Sequence, residues 1–129
     1  MTKETTMTRN QSQAAAEMLL PLRPIDLQIL LVLMESNLHG YGLMKEVERQ
    51  SGGRVTLEVG SLYRVIKRLL ANELICEANG APEQTDAKRR RNYRITEFGR
   101  QVARAEADRL VAVIETAQQR KLLEGGKRA

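Results

Sequence analysis

Between Pro24 and Leu123, apolar residues recur every three to four positions in four stretches, parted by short polar or glycine-bearing breaks. The first stretch, Ile25 to Met34, puts Ile29, Leu30 and Leu33 on a buried helical face. Pro24 opens it, in the first turn, where its missing N–H costs nothing. Asn37, His39 and Gly40 read as a turn. The second stretch, Tyr41 to about Gln50, buries Leu43, Met44 and Val47 and stops at Ser51-Gly52-Gly53, since glycine accepts the left-handed cap conformation. The third runs from Gly60 to about Asn72. Two strand-like segments follow, Leu74 to Ala78 and Arg90 to Thr96, the second with Tyr93 and Ile95 on one face. The polar segment between them, Asn79 to Arg89, contains Asn79-Gly80 and Pro82 and reads as a long hairpin tip. Thr96 then caps the fourth stretch, a long helix from Glu97 to about Leu123, before Gly125-Gly126 and a basic tail.

Upstream, Met1 to Arg9 carries no apolar period and reads as disordered. Asn10 or Ser12 can cap a short helix through Ala14 and Leu20, which Pro21 and Pro24 stop. This piece is either a frayed extension or an arm that packs on a partner. The order helix, helix, helix, strand, strand, long helix predicts a mainly α fold. It is a winged helix-turn-helix with a two-stranded β-wing and a long C-terminal dimerisation helix. The expected divisions are an N-terminal extension over 1–20, a DNA-binding domain over 21–96 and the C-terminal helix and tail over 97–129.

The third helix carries the chemistry. At 100° per residue, Leu62, Val65, Ile66, Leu69 and Leu70 share one face, while Arg64, Lys67 and Arg68 lie opposite, with Gly60 and Ser61 beside them. No acidic residue occurs between Val59 and Asn72. Such a helix suits an anionic surface: arginine can bridge guanine O6 and N7, while lysine and serine reach phosphate. A solvated amphipathic face is the plainer reading of any basic stripe. The missing acids and the wing that follows favour DNA. Tyr63, at the boundary, is expected both to pack and to present its hydroxyl. In the wing, Lys88, Arg89, Arg90 and Arg91 are consecutive, and a strand points alternate side chains to opposite faces, so the run cannot pair with itself. Glu83 and Asp86 offset it in part. DNA backbone would offset it better.

Composition sharpens this picture in three ways. A net charge of +5 fits an anionic partner. Aromatic residues at 3%, with no Trp, make the core aliphatic and leave few rings to stack on unpaired bases, so duplex DNA is favoured over RNA. A single cysteine, Cys76, rules out an internal disulfide and suits a reducing cytoplasm. The chain holds no apolar run of about 18 residues, so no membrane span is expected. With one His, His39, and one Cys, Cys76, a Cys/His pair stays open on distance but nothing else supports it, a metal site normally needs several ligands, and neither an enzyme nor a cofactor is expected. His39, before a helix, reads as a cap.

Three segments together resemble the PadR family of transcriptional regulators. They are His39-Gly40-Tyr41-Gly42-Leu43-Met44-Lys45-Glu46-Val47, then Val59-Gly60-Ser61-Leu62-Tyr63-Arg64-Val65-Ile66-Lys67-Arg68-Leu69 with Leu74-Ile75, then Arg90-Arg91-Asn92-Tyr93-Arg94-Ile95-Thr96-Glu97-Phe98-Gly99-Arg100. The similarity spans roughly Leu22 to Leu123, in the short-tailed form with one C-terminal helix. It implies a two-fold homodimer acting mainly as a repressor and released by a small-molecule effector. It also implies DNA contacts from Tyr41, Ser61, Tyr63, Arg64, Lys67 and the wing arginines. The final helix offers only Phe98 as an aromatic, which does not suit the sandwiching of flat aromatic ligands.

The final helix also argues for a partner on its own. Phe98, Val102, Ala105, Leu110, Val113, Ile114 and Ala117 form a face that one small domain cannot cover. Pairing with a symmetry mate buries it, and Val102, Ala105, Leu110, Val113, Ile114 and Ala117 are the expected interface. The competing reading, from a different class, is a winged-helix protein-interaction module that does not bind DNA.

Overall fold

The computed structural model describes residues 13–78 and 91–124. The expected caps Asn10 and Ser12, the wing tip with Lys88, Arg89 and Arg90, and Gly125-Gly126 lie outside the described residues. The elements are a short helix α1 (13–18), α2 (Pro24–Leu33), β1 (Leu38–His39), α3 (Gly40–Gln50), α4 (Val59–Ala71), β2 (Ile75–Glu77), β3 (Asn92–Ile95) and α5 (Glu97–Gln119).

Helix α2 is the hub. It starts at Pro24 and buries Ile29, Leu30, Val32 and Leu33, more of its circumference than one stripe, because α3, α5 and β3 all pack around it. Helix α3 starts on His39, whose Nδ1 accepts from the Gly42 N–H at 3.1 Å. It ends where Gly52 and Gly53 take φ of 65° and 82°, conformations that cost a residue with a Cβ. Leu43 and Val47 enter the core and Met44 lies at its edge. From α4, Leu62, Val65, Ile66 and Leu69 are buried as their spacing requires. Ala16 of α1 also enters this core, so α1 packs on its own chain and is not a frayed end.

The sheet differs from the expected two-stranded hairpin. It has three strands in the order β1-β3-β2, all antiparallel, with Leu38 opposite Tyr93, His39 opposite Asn92, and Ile75 opposite Ile95. The residues read as a turn therefore include a strand. Two residues cannot show alternation, and β1 exists only because β3, more than fifty positions away, offers its free edge. Tyr93 is buried against this sheet, and burial, with Glu77 adding, pushes its phenol above the ordinary range.

Thr96 joins the sheet to α5. Its Oγ1 accepts from the Gly99 N–H at 2.8 Å and donates to the Glu73 carbonyl at 2.7 Å. Gly99 is needed here: a Cβ would stand 2.1 Å from the Leu74 carbonyl oxygen. The first turns of α5 bury Gly99, Val102, Ala103 and Glu106.

Candidate nucleic-acid interface

The face of α4 away from the core is built by a turn that leaves it open. The loop from Ser51 to Glu58 brings the chain round from α3, and α4 begins without a side-chain cap. Its first turn contains no acid, and its outward residues Tyr63, Arg64 and Lys67 are exposed. Arg64 Nη2 lies 3.2 Å from Ser61 Oγ, one turn back, which holds the guanidinium along the helix rather than across it.

Tyr63 lies at the boundary of this face. It is 45% exposed, yet its hydroxyl and ring edge lie where a Cβ on Gly40 would meet them at 3.3–3.5 Å. Glycine at 40 thus lets α3 and α4 approach and leaves the phenol standing at their junction. Tyr41 follows Gly40 at the start of α3 and is exposed. Lys45 Nζ sits 5.5 Å from the centre of the Tyr41 ring, a cation–π distance. Lys45 was not singled out from the sequence; its four-residue spacing from Tyr41 was the available signal.

Arg68 is a correction. It is not part of the free basic face, because its guanidinium pairs with Asp26 of α2, Nη2 to Oδ1 at 2.5 Å. Asp26 is buried, and Arg68 is only partly exposed. On the helical wheel Arg68 flanks Val65, so it lies near the core boundary, where a carboxylate from the hub helix reaches it. It therefore fastens α4 to α2. In the wing, Arg91 Nη1 meets Glu77 Oε2 across the hairpin at 3.0 Å, a partner outside the run itself. Both groups are half exposed, so this pair is weak and leaves Arg91 at the surface.

The expected dimer residues divide along α5. Val102 is wholly buried in its own domain and offers nothing to a partner, a second correction. Ala105 and Ala117 are partly covered. Leu110, Val113 and Ile114 are 37%, 51% and 45% exposed, and Val111 joins them. The stripe that is core from Gly99 to Glu106 thus runs on, apolar, past the edge of the domain.

The family model for the transcriptional regulator PadR-like family matches residues 29–105, more than half of the chain. The chain belongs to the PadR-like family. Its DNA-binding, transcription-regulating character follows, and members of the family are regulators rather than enzymes. Among solved structures, a transcriptional regulator from Clostridium thermocellum is 25% identical, with a TM-score of 0.62 over 74% of this chain and 87% of that one. A PadR family regulator from Clostridium difficile is 21% identical, with a TM-score of 0.61 over 74% and 95%. A PadR-like transcription factor from Bacteroides fragilis is 20% identical, with a TM-score of 0.61 over 86% and 97%. No curated protein matches the chain significantly. The winged-helix architecture, mainly helical with a small sheet and a long last helix, is the one these PadR-like structures share. Among the described residues no helix is long and apolar enough to cross a membrane, and no cluster of His, Cys, Asp and Glu could hold a metal.

Proposed function

We propose that this PadR-like regulator is a cytoplasmic homodimeric repressor that binds a palindromic operator through α4 and the wing and is released by a small-molecule effector. The observation that carries the reading is the pairing of two surfaces. One is the acid-free Arg64 and Lys67 face of α4 with Tyr41, Lys45, Ser61 and Tyr63 beside it. The other is the apolar stripe of exposed Leu110, Val113 and Ile114 with partly covered Ala117. The first suits a major groove; the second suits a symmetry mate. Joined by a two-fold axis, two such helices reach successive major grooves about 34 Å apart. Lys88, Arg89, Arg90 and Arg91 then lie along the flanking backbone. Effector release is supported by the kinship, and the cleft of about 710 Å³ between α1, α2 and α5 has room for a small ligand.

Selection of bound duplexes from a random pool at fixed salt tests this. Recovery of one palindromic motif is expected. Failure to enrich any sequence would turn the reading toward a protein-interaction module.

A further inference from the structure

Two side chains at the leading edge of α4 are explained neither by the core nor by the basic face. Glu58 stands just before the helix, exposed, on extended backbone, and makes no capping hydrogen bond. It takes part in no ion pair among the described residues. Val59 follows at 56% exposure, a large apolar side chain at the very start of a helix whose other large aliphatic residues turn inward. This end of α4 is also clear of the rest of the protein, since a Cβ on Gly60 would meet nothing within 4 Å.

A carboxylate at the front of a phosphate-seeking surface opposes binding unless it meets a donor. The major groove offers amino-group donors on cytosine and adenine. Adenine sets its N7 acceptor beside the amino group, which repels a carboxylate; cytosine does not. An exposed valine has its own match in the same groove, the thymine methyl.

We propose that Glu58 and Val59 determine specificity: Glu58 accepts a hydrogen bond from a cytosine amino group, and Val59 packs on a thymine methyl of a neighbouring pair. Arg64, five residues after Val59, is left to guanine. This rests on the DNA reading of α4. The rival role for Glu58 is purely local, a carboxylate favoured by the helix dipole, which would affect stability and not base choice.

The test is duplex selection with the full chain in four forms, wild type, Glu58→Ala, Glu58→Gln and Val59→Ala, with thermal midpoints measured alongside. The wild type is expected to prefer cytosine at one position of each half-site. Glu58→Ala loses that preference, about ten-fold in discrimination, Glu58→Gln shifts it toward adenine, whose N7 and amino group a carboxamide pairs, and Val59→Ala loses a neighbouring thymine, while other positions hold. Variants that keep the wild-type base profile, and change only overall affinity or thermal midpoint, overturn the proposal. A wild type that enriches nothing overturns the DNA reading itself. That failure appears before any variant is compared, so the two are distinguishable.

Discussion

Arg64 and Arg68 lie about one turn apart on α4, and a single carboxylate separates their roles. Asp26 takes Arg68 and leaves Arg64 with only the Ser61 hydroxyl. Arg64→Ala is therefore expected to relax base choice at one operator position, at a cost of about 1–3 kcal/mol in cognate binding. Titration of cognate and single-site mutant duplexes checks it; unchanged discrimination would remove Arg64 from base reading. A different economy operates at Glu73. It follows α4 with φ of 62°, while the Leu74 N–H returns to the Leu69 carbonyl and the Glu73 N–H to that of Leu70. This is a left-handed helix stop that normally holds glycine. Glu73→Gly is expected to raise stability by about 1 kcal/mol, read from denaturant midpoints; a loss would show that the side chain has a compensating role. The core stripe of α4 was legible in the sequence because its apolar residues recur every three to four positions. Arg68 was not, because its partner lies 42 positions away, where no local pattern points.

At the scale of elements, α5 carries a buried acid, Glu106, at the end of the stretch its domain covers. Glu106 accepts from Arg109 Nε and Nη2 at 2.9 and 2.8 Å. The Arg109 contact holds its carboxyl below the usual 4.5, against the opposing effect of burial. A carboxyl depressed on folding contributes stability that is complete above its unfolded pKa and is lost as pH falls through the lower folded value. Glu106→Gln is thus expected to cost about 1–2 kcal/mol near neutrality, and the gap to wild type should narrow as pH falls below the usual carboxylate range. Thermal melts across that range check it; a gap independent of pH would deny the charge any part. The capping of α5 by Thr96 was readable from a Thr set before an apolar period, as was the hairpin from its two alternating segments. Strand β1 was hidden, being two residues long and defined only by its partner. Val102 was misassigned to the interface because its period is continuous with Leu110; only the domain's size shows where core stops and surface starts.

The whole molecule follows from that boundary. Helix α5 has 23 residues and so runs about 35 Å, longer than the face its own domain covers. The uncovered half carries Leu110, Val113, Ile114 and Ala117 at the spacing of a coiled-coil seam. If the proposed dimer forms through this seam, Ile114→Glu shifts it to the 14.6 kDa monomer in sedimentation, with the fold kept. Operator binding then weakens about ten-fold or more, since the second half-site no longer benefits from tethering. A variant that stays dimeric would place the seam elsewhere.

The most direct test of the account is a footprint of the full chain on its selected duplex, with stoichiometry measured on the same complex. Two chains per duplex are expected, protecting two major-groove patches one helical turn apart and related by a dyad. One chain per duplex, a single patch, or no protection would contradict it.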